Sequence, residues 1–129
     1  MTEQSLQLGD IVIVKHRTGE YISEIMELTP SKALVKTLAV VTHPTQGDLH
    51  NLYQTNVPLF HQRKAMAYLE KVYVPTVVLR PFLEDNVPTY LDSLRQALQE
   101  QEKQLRERGD EYANRALQQL TQLHSEYFS

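Results

Sequence analysis

The second half of the chain carries a leucine repeat that indicates a helix. Four leucines, at offsets of 0, 3, 7 and 14 residues, share one helical face: Leu91, Leu94, Leu98 and Leu105. Thr89 with Asp92 three residues later resembles a capping box, and Gly109 is suited to end the helix. The pattern therefore predicts a helix over residues 89–108, which would be about 30 Å long.

A second helix is predicted directly after Gly109. Asp110 can cap its N-terminus. Its apolar stripe consists of Ala113, Ala116, Leu117, Leu120, Leu123 and Tyr127. Because the connection is very short, the two helices should lie antiparallel. Both stripes need an apolar counterpart, so we expect the side chains of Leu94, Leu98, Leu117 and Leu120 to be mostly buried.

The first half of the chain has the composition of short strands. Three β-rich segments, at residues 11–14, 21–27 and 33–42, are separated by the turns at 17–20 and 29–31. Residues 65–71 have helical propensity but also alternate, and residues 72–74 are β-rich, so we favour a strand there and another at 77–80. Five short strands with one long loop, at 49–63, would make a small barrel.

These patterns predict an α+β fold that is mainly β. Residues 1–84 would form a small antiparallel β-barrel, and residues 85–129 an α-helical extension. A small barrel leaves a strand edge, and a helix of this length would outreach it. We therefore predict a homodimer in which the helical half supplies much of the interface, against a monomer whose helices fold back onto the barrel.

Composition excludes several function classes. The chain contains no cysteine, which excludes disulfides, thiolate metal sites, thiol catalysis and a cysteine-linked lipid. No window approaches the roughly 20 apolar residues of a membrane span, and the polar N-terminus does not resemble a signal peptide, so we expect a cytoplasmic protein. Lys/Arg and Asp/Glu number eight each in residues 1–84 but five and eight in residues 85–129. This balance argues against a nucleic-acid surface.

The least generic stretch is residues 40–64, VVTHPTQGDLHNLYQTNVPLFHQRK. It supplies the candidate partner-binding residues His43, Pro44, Gln46, Asp48, His50, His61, Arg63 and Lys64. Three interpretations are open, namely a metal site, an acid–base centre and a polar surface that a partner contacts. Long loops are often functional, which suits each of them.

The first two interpretations are disfavoured. Asp48 and His50 would share a face on a strand, but their spacing from His43 and His61 matches no strong zinc motif. His50 with Asp48 could supply an oriented base, yet no serine lies in a nucleophile context. With four glycines in the chain there is no phosphate-cradling loop. We therefore expect no metal, no cofactor and no catalytic residues, and favour partner contact.

The motif THPTQGDLH (42–50) resembles the kinase-associated protein B family of Bacillus and related Firmicutes. The likeness extends to HRTGEYISEI (16–25), ALVKTLAVV (33–41), VPLFHQRKAMAY (57–68), VLRPF (78–82), VPTYLDSLRQAL (87–98) and EYF (126–128). It implies an SH3-like antiparallel barrel with an α-helical extension, and supports strands within 65–82. The motif residues are Thr42, His43, Pro44, Gln46, Gly47, Asp48, Leu49 and His50. The family brings no catalytic residues to carry over.

The resemblance also implies a role in sporulation signalling. Its members are linked to a membrane sensor histidine kinase that feeds phosphate into the sporulation phosphorelay. The family is often described as lipoprotein, whereas this chain has no cysteine, so we expect no direct membrane insertion and membrane proximity only through a partner. We therefore expect a non-catalytic adaptor or modulator that contacts the kinase or its associated proteins. The alternatives are a nucleic-acid-associated small barrel and a histidine-cluster metalloprotein or enzyme.

Overall fold

A five-stranded antiparallel sheet forms the first half of the chain. The computed structural model describes residues 5–47 and 60–128. The strands are β1 (Ile11–His16), β2 (Gly19–Leu28), β3 (Lys32–Thr42), β4 (Lys71–Pro75) and β5 (Leu79–Pro81). Their order in the sheet is β4-β3-β2-β1-β5, and a 3-10 turn at Thr76–Val78 joins β4 to β5. The α+β, mainly β class is confirmed.

Alternating side chains of the sheet form a core of their own. Val12 and Val14 are 0% and 1% exposed, with the more accessible Ile13 between them, as one-sided burial of a strand requires. They pack in one apolar cluster with Ile25, Ala33, Val35 and Val74. Because β1 to β4 all contribute to this cluster, it holds the sheet together independently of the helices.

The three strands of the predicted meander are present, but several strands begin or end at residues other than the predicted ones. Strands β2 and β3 are longer than the apolar runs that predicted them. Strand β4 begins only at Lys71, so residues 65–70 are neither helix nor strand, and Val77 lies in the 3-10 turn. The expected closed barrel is not formed in the described part of the chain, because β4 and β5 are the two edges of an open sheet.

Helices α1 (Tyr90–Arg108) and α2 (Glu111–Tyr127) follow, with the predicted caps. The Thr89 side chain accepts a hydrogen bond from the Asp92 N–H, and the Asp110 side chain accepts one from the Ala113 N–H. Gly109 ends α1 in the left-handed conformation, with φ of 68°. Within the described residues, neither helix combines the length and apolar character that crossing a bilayer would require.

The helical hairpin packs against the end of the sheet. Leu94 and Leu98 of α1 and Leu120 of α2 are at most 1% exposed, and they share a cluster with Tyr21 of β2 and Val40 of β3. Burial of Leu94, Leu98 and Leu120 is therefore confirmed, whereas Leu117 is partly buried. Ser93 ties α1 to the sheet, because its Oγ accepts a hydrogen bond of 2.9 Å from the Val40 N–H.

The helices fold back onto the sheet of the same chain. Leu91 is the exception among the four predicted leucines of α1, because 55% of its surface is exposed. The surplus leucine surface expected to drive dimerisation is therefore small in the residues that the structure describes. The homodimer stays a prediction.

Candidate functional site

The distinctive stretch after β3 forms a junction between the sheet and both helices. We define this junction as residues 43–47 together with residues 60–66, the two described ends of the long loop. Gln101 of α1 donates hydrogen bonds of 3.1 Å to the carbonyls of His43 and Pro44. Tyr112 of α2 donates one of 2.8 Å to the Gln46 carbonyl. The junction is thus fixed by polar contacts rather than by secondary structure of its own.

His43 lies inside the junction, with 1% of its surface exposed. Its Nδ1 is 3.1 Å from the Pro44 carbonyl oxygen, and its Nε2 is 3.0 Å from the Tyr127 hydroxyl. Because a carbonyl only accepts, Nδ1 carries the proton and Nε2 accepts from Tyr127. Burial lowers the pKa of His43 to about 4, outweighing the contacts with Pro44 and Gln101 that favour the charged ring. His43 is therefore neutral near pH 7.

Gln46 joins the two ends of the loop. Its Oε1 accepts a hydrogen bond of 2.9 Å from the Arg63 N–H, and its Nε2 donates one of 2.9 Å to the Arg63 carbonyl. The side-chain amide thus pairs with a backbone amide as a neighbouring strand would. Arg63 completes the connection by donating from Nε to the Gly47 carbonyl at 3.0 Å.

Gly47 occupies a position that favours glycine for two reasons. Its φ is 104°, outside the range that side chains readily adopt, and a Cβ there would lie 3.3 Å from the Phe60 ring and 3.5 Å from the Tyr112 ring. Its N–H also donates to the His61 carbonyl at 2.8 Å. The two aromatic rings therefore close over the backbone of the junction.

The Gly47→Ala variant should lose more stability than Gly9→Ala, which is a matched control. Both glycines have positive φ, but a Cβ at Gly9 meets nothing within 4 Å. Gly9→Ala should cost about 1 kcal/mol of unfolding free energy from backbone strain. Gly47→Ala should cost about 1–3 kcal/mol more, from crowding against the rings. Urea unfolding of both variants measures the difference, and equal losses would show that the rings do not constrain Gly47.

The structure divides the predicted partner-binding residues into three groups. His43, Pro44 and Gln46 are buried and make contacts within the chain. His61 and Arg63 are half-buried and Lys64 is exposed, with its Nζ 2.9 Å from the Glu126 carboxylate. Asp48 and His50 lie outside the described residues. Contact with a partner therefore remains available to Lys64, and in part to His61 and Arg63.

A metal would have to displace contacts that the junction already makes. Both ring nitrogens of His43 face protein oxygen atoms, the Pro44 carbonyl and the Tyr127 hydroxyl. Within residues 5–47 and 60–128, no three His, Asp or Glu side chains gather as a metal site would need. In the described part of the chain, the ring contacts of His43 connect the junction to Tyr127 of α2.

A cationic cleft opens beside the junction. Its volume is about 480 Å³, and the turn between β1 and β2 forms one wall while residues 62–67 form the other. Arg17, Arg63 and Lys64 line it, with Glu70 on the same wall as residues 62–67. Arg17 is exposed and has a φ of 56°. His16 also lines the cleft, and burial and then Arg17 lower its pKa against the opposing effect of Glu70.

Arg17 is the site residue that sequence reasoning missed. It lies 46 positions before Arg63, in a segment that reads only as a hairpin turn. The available signal was its place in HRTGEYISEI, a segment of the family resemblance that contains a cation at the turn. Only the fold brings this turn next to Arg63 and Lys64.

Three comparisons with known proteins agree over nearly the whole chain. The sequence profile of the family described as "Kinase associated protein B" matches residues 16–128. "Kinase-associated lipoprotein B" of Bacillus subtilis (strain 168) is 44% identical over 125 residues, 97% of this chain and 97% of that protein. The X-ray crystal structure of kinase-associated protein B from Bacillus cereus superposes with a TM-score of 0.79 at 30% identity, covering 95% of this chain and 98% of that chain.

Proposed function

Because this chain belongs to the kinase-associated protein B family, we propose that it is a non-catalytic modulator of a sensor histidine kinase pathway. It acts through direct protein–protein contact with the kinase or with a protein associated with it. The pathway is the phosphorelay that controls sporulation, as the family resemblance implies. The chain works on the cytoplasmic side, and any membrane proximity comes through the partner.

The observation that supports contact with a partner is the cationic cleft. Residues 1–84 are balanced in charge, yet Arg17, Arg63 and Lys64 gather around one cleft of about 480 Å³. The one described ion pair among these cations, Lys64 with Glu126, is exposed and therefore stabilises the fold little. The cleft thus suits an acidic surface of a partner, which would be steered and oriented by charge complementarity.

A modulator role, rather than catalysis, is consistent with the state of His43. A general base must reach the proton that it abstracts, with a pKa near the operating pH. His43 is buried, has both ring nitrogens engaged, and has a pKa lowered to about 4. Its contacts position the junction that forms one wall of the cleft, so its contribution to function is structural.

A binding experiment with two neutralising substitutions tests the proposed function. The purified cytoplasmic regions of the sensor histidine kinases of the same organism are immobilised, and binding of the full chain is measured. The double variant Arg17→Asn, Lys64→Gln removes two charges of the cleft, and Asn tolerates the left-handed backbone at position 17. We expect at least one kinase region to bind, with affinity reduced about tenfold in the double variant at 0.15 M salt.

The matched control is Lys103→Gln, which removes an exposed charge from α1 away from the cleft. It should bind like the wild-type chain. Equal binding by the wild type and the double variant would contradict a role for the cleft. A failure of every kinase region to bind, with salt-dependent binding of a single-stranded oligonucleotide, would instead support the nucleic-acid alternative.

A further inference from the structure

An acidic groove lies along the segment that joins β5 to α1. Two clefts, of about 620 Å³ and 590 Å³, flank the segment between β5 and α1. Phe82, Glu84 and Val87 line both clefts, so the two adjoin along this segment, and we refer to them together as the acidic groove. The segment is held at its start, because the Phe82 N–H donates to the Ile11 carbonyl at 3.2 Å and extends the pairing of β5 with β1.

The groove carries accessible apolar side chains. Leu83 is 83% exposed, Val41 is 41% exposed and Val87 is 37% exposed. Val41 follows Val40, whose side chain lies in the core beneath α1, so Val41 is carried by a fixed strand. Leu83 and Val41 line one cleft each and Val87 lines both, so every part of the groove carries an exposed apolar side chain, as is typical of an interaction surface.

The rim of the groove carries only negative charge. Asp10, Glu84 and Asp85 line one cleft, and Glu84 and Glu100 line the other. Among the described residues that line either cleft there is no Lys, Arg or His. Within the described part of the chain, these four carboxylates form no ion pair. Their charge is therefore available to a partner.

We propose that this groove docks a cationic amphipathic segment of a protein partner, with apolar side chains on Leu83, Val87 and Val41 and Lys or Arg side chains beside the rim. The match is one of charge complementarity around an apolar centre. A second copy of this chain fits less well. A symmetric contact would place each acidic rim against its equivalent, and like charges facing each other cost free energy.

Peptide binding to the full-length chain tests the proposal. The probe is a fluorescein-labelled helical peptide of about 18 residues, with leucines on one face and lysines on the other. We expect saturable binding by anisotropy, and a Kd weakened about fivefold or more in Leu83→Ser. Val77→Ser is the matched control, because Val77 is 86% exposed and lies outside the groove, and it should bind like the wild type.

Two further peptides and one further variant separate the alternatives. A peptide with the same lysines but serines in place of leucines should bind weakly, and so should one with glutamates in place of lysines. Equal binding of the serine peptide would reduce the groove to a non-specific acidic patch and overturn the proposal. So would a dimer, seen by light scattering, that Leu83→Ser dissociates. Arg17→Asn, Lys64→Gln should leave peptide binding unchanged, which keeps this test independent of the cationic cleft.

Discussion

The Leu98→Ala variant should lose about 2–5 kcal/mol of unfolding free energy. Leu98 is 0% exposed and belongs to the cluster that joins α1, α2 and the end of the sheet. Removing its side chain leaves a cavity bounded by both helices and by Tyr21 and Val40, elements that cannot all close in on it at once. Since small domains are stable by only about 5–15 kcal/mol, this single change should remove a large share of the total.

Leu91→Ala is the matched control, because the two leucines occupy the same predicted stripe of the same helix. Leu91 is 55% exposed, so its truncation should change the unfolding free energy by about 0.5 kcal/mol or less. Urea unfolding followed by circular dichroism measures both variants. Similar losses in the two would mean that α1 does not pack against the sheet as described.

The helical half could be predicted closely because its signals are local. The caps at Thr89 and Asp110 and the left-handed Gly109 each depend on residues within one turn of the chain. Periodicity alone could not separate Leu91 from Leu94, since both lie on one helical face. Leu91 is 55% exposed and Leu94 is 1% exposed, a difference in tertiary packing that the spacing of leucines does not contain.

The presence of an antiparallel sheet could be predicted, but the edge strands and the open rather than closed form of the sheet could not. The alternation at Val12 and Val14 marks a half-buried strand whether the sheet closes or stays open. Residues 65–70 read as strand or helix, yet their amides bond elsewhere, as when the Met66 N–H donates to the Tyr21 hydroxyl at 3.2 Å. The Leu69 N–H donates to the Thr37 carbonyl at 2.7 Å, so groups distant in sequence bind the amides of that segment.

The junction was recognisable as unusual but not as a buried structure. A cluster of histidines and an aspartate in a long loop is typical of an exposed site. Here three residues of the candidate stretch, His43, Pro44 and Gln46, are buried. Their hydrogen-bond partners are side chains of the two helices, namely Gln101, Tyr112 and Tyr127. The described part of the distinctive motif therefore contributes to how the hairpin attaches to the sheet.

The two candidate surfaces approach each other at β2. Asp10 and Ile11 line one end of the acidic groove, and the six residues of β1 separate that end from His16 and Arg17 of the cationic cleft by roughly 20 Å. The other end of the groove is lined by Ile22, which directly follows Tyr21 of the cleft. Surfaces of opposite charge are thus carried by neighbouring residues of one strand.

Acidification should destabilise the protein through His43. In the unfolded chain this histidine has its ordinary value of 6.5, whereas burial lowers the pKa in the folded chain to about 4. Between pH 6.5 and 4 the unfolded state therefore binds a proton at this histidine that the folded state does not bind. The free energy of unfolding falls as the pH decreases through this range, and the loss is complete below about pH 4. At about 1.4 kcal/mol for each pH unit, this histidine alone should remove about 3 kcal/mol.

The pH dependence should become weaker in His43→Gln. That variant loses the contact with the Tyr127 hydroxyl, so its stability at pH 7.5 should already be lower. Between pH 6.5 and 5, however, its urea midpoint should fall less steeply than that of the wild-type chain, because the group that takes up the proton is gone.

Parallel midpoint curves for the two chains over this range would contradict the buried, neutral state of His43. So would an NMR titration in which the His43 ring of the folded protein protonates near its ordinary value. A shallower fall of the urea midpoint in His43→Gln would show that the loss of stability in acid comes from the His43 ring, which joins the junction to the last turn of α2.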